Sequence, residues 1–162
     1  MDPTRDVLDL LLTDARTSTG DIARQTDLSE AKVDTIIENL EDSNAIRGYQ
    51  AVVDWDAVDE AHVRAVVQLN VTLDRETSYG DIAGRLAQFP EVHSLELVSG
   101  EFDFLMTVES DSMHAISAFV ADQVAPVPEI TQTVTHFVME TYKDRGIAVD
   151  EGRDDDRLSV SP

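Results

Sequence analysis

The clearest structural signal in the sequence lies in residues 18–40, which read STGDIARQTDLSEAKVDTIIENL. Ser18 with Asp21 three residues later is typical of a capped helix start, and Ser29 can cap a second helix. Asp27 and Leu28 supply a tight turn between the two helices. Apolar side chains follow helical spacing in the second helix, at Val33, Ile36, Ile37 and Leu40. This order predicts a helix-turn-helix, a motif that can place one helix in a groove of DNA.

One helix precedes this motif and one strand follows it. Asp2 and Pro3 suit the N-cap and the first position of an N-terminal helix. The residues from Ile46 to Val53 read as a strand. We therefore predict a winged helix-turn-helix DNA-binding domain over residues 1–50, followed by a linker over residues 51–62.

The charges of the second helix of the motif weaken its expected attraction to DNA. Because its apolar residues face the core, its outward positions hold several acids but a single base, Lys32. Side chains that donate hydrogen bonds can still reach bases or phosphates, and a helix N-terminus can hold a phosphate. The candidate DNA-binding residues are Ser29, Lys32, Thr35, Asn39, Arg24 and Arg47. The alternative is a helix-turn-helix retained only as a structural or protein-binding unit.

In the second half of the chain, apolar and polar residues alternate with the two-residue period of a half-buried strand. Alternation begins at Val63, and further strands are predicted over residues 92–98, 102–108 and 130–142. Helical patterns over residues 78–89 and 112–125 separate them. The order β-α-β-β-α-β predicts a ferredoxin-like domain over residues 63–143 in an α+β protein. Residues 144–162 contain many acidic and few apolar residues, which predicts a disordered acidic tail.

The last predicted strand is apolar on both of its sides. Val134 and Val138 alternate with Phe137 and Met139. An antiparallel sheet whose second face is not purely polar suggests a subunit interface. A dimer would also present two helix-turn-helix motifs to two half-sites on DNA.

The net charge of −21 is extreme for a chain of 162 residues, and lysine occurs only at Lys32 and Lys143. A uniformly acidic, lysine-poor surface resembles proteins of salt-accumulating halophiles, where a Debye length of about 3 Å or less screens self-repulsion. This interpretation favours a halophilic archaeal source. The alternative is an acidic mesophilic protein that avoids nucleic acid.

Composition also argues against several classes of protein. The chain has no cysteine, and no apolar run reaches the roughly 18 residues of a membrane span. Its N-terminus lacks the order of a signal peptide. The four histidines show no metal spacing and no nucleophile–base pair is evident. We therefore expect a cytoplasmic protein without a metal, a cofactor or catalytic residues.

Particular residues carry a resemblance to a known family. The opening pattern comprises Leu11, Asp14, Ala15, Arg16, Ser18, Asp21, Ile22 and Ala23, and it is followed by Ile46, Gly48 and Tyr49. Later, Gly100, Phe102 and Asp103 form a Gly-x-aromatic-Asp turn. In this arrangement the chain resembles the Lrp/AsnC, or feast/famine, transcription regulators. The resemblance implies dimers that often form octamers, an amino acid or similar small effector, and control of transcription.

The same turn provides the candidate effector site. Gly100 lets a ligand approach the main chain, and Asp103 can accept hydrogen bonds from an α-ammonium group. The candidate ligand-binding residues are Ser99, Gly100, Phe102, Asp103, Thr131 and Thr133. Ser99 and Gly100 would offer N–H groups to an α-carboxylate, and the threonines alternate along the last strand. The alternative is that Asp103 only closes the turn and that the threonines are ordinary strand residues.

Three functions compete at this point. The leading interpretation is a transcription regulator that binds duplex DNA and a small effector. The second is a sensor that no longer binds DNA and co-assembles with a paralogue. The third is an enzyme, because siroheme decarboxylases are similar to this family in domain order, but the sequence shows no basic cluster for the carboxylates of a tetrapyrrole.

Overall fold

The computed structural model describes residues 2–149 of the chain, which divides between Val52 and Val53 into two units. The first unit contains three helices: α1 (Pro3–Thr13), α2 (Thr19–Thr26) and α3 (Glu30–Asp42). Their inward residues form one apolar core made of Val7, Leu11, Ile22, Ala23, Val33 and Ile36. The predicted helix-turn-helix is therefore confirmed.

Side-chain caps fix where these helices begin. Asp2, Ser18 and Ser29 each accept a hydrogen bond from a backbone N–H in the first turn of the helix that follows. Asp27 ends α2 in the left-handed conformation (φ 56°), which Asp tolerates better than bulky residues do. The chain can therefore turn into α3 over three residues, Asp27 to Ser29.

The predicted strand from Ile46 to Val53 is wrong. Ile46 packs partly against the helical core, and the residues after it form no strand. The β-branched residues of this segment favour extended backbone, but a strand also needs a neighbour with which to pair. Within the described residues of the first unit there is no such strand, and hence no wing.

The second unit is a four-stranded antiparallel sheet with helices between its strands. The elements are β1 (Val63–Val71), α4 (Tyr79–Leu86), β2 (Val92–Leu97), β3 (Phe104–Ser110), α5 (Met113–Phe119) and β4 (Ile130–Phe137). A single 3₁₀ turn (Trp55–Ala57) precedes β1, and a π-type turn continues α5 to Val124. The strand order β2-β3-β1-β4 confirms the predicted β-α-β-β-α-β arrangement.

One face of this sheet carries the core. Alternate residues of β1 and β3 are buried together with apolar residues of both helices: Ala65, Val67, Leu69, Phe104, Met106, Val108, Ile82, Leu86, Ile116, Phe119, Val120 and Val124. The opposite face is mixed, with half-buried Val66, Leu105 and Val134 among polar neighbours. The strand β4 ends at Phe137, so Met139 does not lie on a sheet face as predicted and is 89% exposed.

The prediction that the chain is disordered from residue 144 onward is wrong for residues 144–148. Strands β5 (Lys143–Asp144) and β6 (Ile147–Ala148) form a short hairpin. Arg145 and Gly146 between them have positive φ angles of 46° and 87°, as a tight two-residue hairpin turn requires. The predicted disorder of residues 150–162 lies outside the described residues. Among residues 2–149, no helix has the length and apolar character needed to cross a membrane.

An ion pair joins α4 to the start of β4. Arg85 Nη2 lies 2.7 Å from Glu129 Oε2, and this arginine is the main cause that lowers the pKa of Glu129. Because the folded protein binds this proton less readily than the unfolded chain, Glu129 contributes stability above the pKa of an unfolded glutamate. That contribution is lost as the pH falls through the lowered pKa.

We expect Glu129→Gln to lower the melting temperature at neutral pH. The difference from the wild type should shrink as the pH falls, because the wild-type carboxylate then becomes neutral as well. Differential scanning calorimetry across an acidic pH series measures it. Asp122→Asn removes an exposed acid elsewhere in the same unit as a control. A difference between Glu129→Gln and the wild type that stays constant at all pH values would contradict this account.

Candidate DNA-binding helix and effector turn

One side of α3 carries three of the candidate DNA-binding residues, all with side chains that form hydrogen bonds. Lys32, Thr35 and Asn39 are spaced three and four residues apart, so they share one side of the helix, and all three are exposed. The Thr35 hydroxyl donates to the carbonyl of Ala31, 2.8 Å away. Lys32 and Asn39 extend a cation and a carboxamide from a helix whose other side is fixed in the core.

Ser29 adds a group at the N-terminus of the same helix. Its Oγ accepts a hydrogen bond from the Lys32 backbone N–H at 3.3 Å, which leaves the hydroxyl proton free to donate. The first N–H groups of α3 also lack partners within the helix, as at every helix N-terminus. A phosphate group could bind there through both kinds of donor.

The outermost positions of α3 are acidic. Asp34 and Glu38 are exposed and point away from the core residues, while Glu41 accepts a hydrogen bond from the Tyr49 hydroxyl at 2.9 Å. These carboxylates repel DNA phosphates, and a protein gains most non-specific affinity from cations that neutralise phosphates. The helix therefore presents its hydrogen-bonding side beside an acidic row.

Each of the two arginines among the candidate residues already has a partner within the first unit. Arg24 pairs with Asp21 one turn earlier in α2. Arg47 Nε donates to the carbonyl of Asn44 at 3.4 Å. Both side chains belong to the first unit and are exposed, but the Asp21 carboxylate offsets the charge of Arg24. We therefore expect Lys32 to contribute more to phosphate binding than Arg24 does.

The candidate effector turn connects β2 to β3 in the second unit. Gly100 has a φ angle of 136°, a backbone conformation that residues other than glycine rarely adopt. The Asn70 side-chain amide donates to the carbonyl of Glu101 at 2.8 Å and so ties the turn to the end of β1. Ser99, Gly100 and Phe102 lie in this turn, with Ser99 and Gly100 exposed.

Asp103 joins three elements. Its Oδ2 accepts from the Val71 backbone N–H at 2.9 Å, its Oδ1 accepts from the Tyr79 hydroxyl at 3.3 Å, and its own N–H donates to the Leu69 carbonyl. The negative charge of Asp103 raises the pKa of Tyr79 above that of an ordinary tyrosine, with burial as a smaller cause. A carboxylate has about four lone-pair sites, so two remain for a cationic ligand.

The two candidate threonines lie on the other side of β1 from Asp103. Thr133 is paired with Leu69, whereas Thr131 falls in the register shift opposite Asn70 and Val71 and donates to the Asn70 carbonyl at 3.2 Å. Thr131 therefore leaves the alternating row that the sequence predicted. Because β1 lies between β3 and β4, the threonines are separated from Asp103 by about two strand spacings, roughly 10 Å.

Sequence reasoning missed two residues of this region. Tyr79 begins α4, and Asn70 lies near the end of β1, far from residues 99–103 in the chain. The pairing of β1 with β3 brings Asn70 to the turn, and the packing of α4 against β3 brings Tyr79 there. Among the described residues, no group of three or more His, Asp or Glu side chains is arranged to hold a metal ion.

Two family models match the chain, one in each unit. Residues 2–47 match the model described as winged helix-turn-helix DNA-binding, and residues 64–148 match the Lrp/AsnC ligand binding domain. A DNA-binding motif followed by a ligand-binding domain defines a DNA-binding transcription regulator.

Curated relatives agree with this class. The chain is 33% identical to an uncharacterized HTH-type transcriptional regulator, YugG of Bacillus subtilis, over 97% of this chain and 95% of that protein. It is 26% identical to the leucine-responsive regulatory protein of Salmonella typhimurium, with 86% and 84% covered. The chain belongs to the Lrp/AsnC family of transcription regulators.

A solved structure shares the fold. It is the transcriptional regulator NMB0573 of Neisseria meningitidis in complex with L-Met, with a TM-score of 0.72 at 22% identity. The match covers 89% of this chain and 92% of that one. The resemblance anticipated from the sequence is therefore confirmed in both halves of the chain.

Proposed function

We propose that this regulator binds duplex DNA through the side of α3 that carries Ser29, Lys32, Thr35 and Asn39. The observation that carries the proposal is their common exposure on a helix anchored in the core by its opposite side. Asn39 offers a donor and an acceptor suited to an adenine edge, while Ser29 and Lys32 suit phosphates. Arg47 is a further candidate for the DNA backbone, and Arg24 is a weaker one because of its pairing with Asp21.

The effector that we propose is an amino acid or a similar small molecule with an ammonium group and a carboxylate. The remaining lone pairs of Asp103 would hold the ammonium group, and the exposed N–H groups near Ser99 and Gly100 would hold the carboxylate. Two similar proteins, the leucine-responsive regulatory protein and a transcriptional regulator solved in complex with L-Met, support this class of effector. Phe102, Thr131 and Thr133 remain candidates for contacts with its side chain.

The working state that we propose is a homo-oligomer in the cytoplasm of a salt-accumulating halophile. The half-buried apolar residues on the open sheet face support a dimer, on which an octamer would build. The net charge of −21 supports the halophilic setting, because concentrated cations screen the repulsion between acids. The similarity to regulators supports a role without catalysis.

Recovery of genomic fragments by the purified protein tests the DNA-binding function. We expect a limited set of duplex fragments to be retained in molar KCl, and their retention to change when the cognate amino acid is added. Light scattering on the same samples gives the oligomeric state. Retention of no fragment at any KCl concentration, together with a heteromer recovered from lysate, would favour the alternative of a sensor that co-assembles with a paralogue.

A further inference from the structure

Three polar side chains are immediate neighbours on the exposed face of α3. Successive residues of an α-helix are rotated by about 100°, so Glu38 and Asn39 lie about 60° and 40° to either side of Thr35, one turn further along the helix. All three are exposed, whereas Val33 and Ile36 on the inner side of the helix are buried in the core of the first unit. Any duplex that contacts Asn39 therefore also meets Thr35 and Glu38.

The hydroxyl proton of Thr35 is already used. It is donated to the Ala31 carbonyl, 2.8 Å away, so the side chain of Thr35 presents its methyl group and a lone pair of its oxygen. Ala31 is exposed one turn earlier and adds a second methyl group. These two residues therefore offer methyl groups and one acceptor to a partner, but no donor.

The carboxylate of Glu38 has no partner within the described residues 2–149. Neither an ion pair nor a side-chain hydrogen bond joins it to another residue there. Its neighbours at four residues on either side are Asp34 and Asp42, and like charges at this spacing destabilise a helix. No contact within the first unit therefore accounts for a carboxylate at this position, and all its acceptor sites are open to a partner.

The edges of the bases decide what such a face can recognise. In the major groove the donors are the N4 amino group of cytosine and the N6 amino group of adenine, whereas guanine presents only acceptors. An ionised carboxylate accepts hydrogen bonds and donates none, so guanine O6 and N7 repel it. Adenine places its N7 acceptor beside the N6 donor, but cytosine has no acceptor on its own major-groove edge. Cytosine is therefore the base that best suits a carboxylate.

We infer that Glu38 is a specificity-determining residue of α3, whose carboxylate accepts a hydrogen bond from the N4 amino group of a cytosine in the operator. Asn39 beside it suits an adenine, and the methyl groups of Ala31 and Thr35 suit that of a thymine. The selected half-site therefore combines one cytosine with neighbouring adenine and thymine. This inference rests on the proposed binding of DNA by α3, and it names the class of duplex that the helix selects.

Glu38 then has two separate effects on DNA binding. Its charge lowers the affinity for every duplex, because it repels phosphates. Its acceptor oxygens favour one base over the others at a single position. The ratio of affinities for two duplexes of equal length and charge cancels the first effect and retains the second. This ratio, in molar KCl, is therefore the quantity to measure.

Selection from a randomised duplex library in molar KCl gives the sequence that the wild type prefers. We expect this sequence to contain a strongly preferred cytosine. Duplexes that differ only in this base pair are then compared by fluorescence anisotropy. The wild type should lose affinity by about tenfold when guanine or thymine replaces the cytosine, within the range for one wrong base pair.

Two variants of Glu38 identify the base that it contacts. Glu38→Gln should move the preference from cytosine to adenine, because a carboxamide suits adenine N6 and N7. Glu38→Ala should bind the four base pairs at this position nearly equally. Asp34→Asn is the matched control, because it removes a carboxylate from the same helix at a position about 140° around the axis from Asn39. It should keep the wild-type preference for cytosine.

The outcomes distinguish this inference from the function on which it rests. A library that yields no preferred sequence would overturn both. A preferred sequence that neither variant of Glu38 alters at any position would overturn the inference alone, because Glu38 then only repels phosphates. An affected position at which the wild type prefers a base other than cytosine would overturn it as well. Glu38 is exposed, so both variants should fold, and circular dichroism verifies this.

Discussion

Replacing Asp103 by asparagine is expected to weaken binding of the cognate amino acid by about 10- to 100-fold, the value of one hydrogen bond to a charged group. Asparagine keeps the size of the side chain and an oxygen that can accept from the Val71 N–H, but it loses the negative charge. The ammonium group of the effector then lacks its counter-ion. Thermal shift titrations across the amino acids, in molar KCl, measure the loss.

The neighbouring tyrosine provides a matched control for this experiment. Tyr79→Phe removes the hydroxyl that donates to Asp103 but leaves the carboxylate charged. We expect it to retain effector binding to within a few fold, whereas Asp103→Asn loses most of it. If Asp103→Asn binds the effector as tightly as the wild type, Asp103 only closes the turn and the site lies elsewhere.

Replacing Glu38 by lysine is expected to raise the affinity for duplex DNA about tenfold in dilute buffer. The variant removes a repulsive carboxylate from the outer side of α3 and adds a cation that can neutralise a phosphate. The slope of log affinity against log salt should become steeper by about 0.9 for one added phosphate contact. Fluorescence anisotropy with labelled duplexes over a KCl series measures both quantities.

Asp122→Lys, at an exposed position in the second unit, is the control for a change in net charge alone. We expect this variant to bind DNA nearly as the wild type does. Lys32→Gln should act in the opposite direction to Glu38→Lys and flatten the salt slope. Equal affinities for Glu38→Lys and Asp122→Lys would mean that α3 does not face the duplex.

Periodicity in the sequence was enough to predict the elements that bury a face. The helices α1 to α3 and the strands β1 to β4 place their apolar residues at intervals that helix and strand geometry dictate. The segment from Ile46 to Val53 has the composition of a strand, but its state depends on a pairing partner that composition does not reveal. The hairpin at residues 143–148 was missed because the acidic composition outweighed the Arg145–Gly146 turn signal.

The sites were less predictable than the elements. The position of the candidate effector turn follows from Gly100 and Asp103, but its contact with Asn70 depends on strand register and its contact with Tyr79 depends on the packing of α4. No sequence pattern predicts the contacts of Glu109 with His62 and His93 either, at 3.4 Å and 3.3 Å. The register of β2 shifts between Val92 and Ser94, and no periodic pattern in the sequence predicts such a shift.

The acidic outer row of α3 bears on how the regulator is distributed inside a cell. A genome offers on the order of a million or more competing non-specific sites, which ordinarily hold a basic regulator even when its operator is empty. If α3 contacts the duplex as proposed, its acidic row gains little from phosphates, and we expect more copies of the protein to stay free in solution. Occupancy of the operator would then depend closely on the concentration of the protein. A small change in its synthesis would change transcription from the promoter.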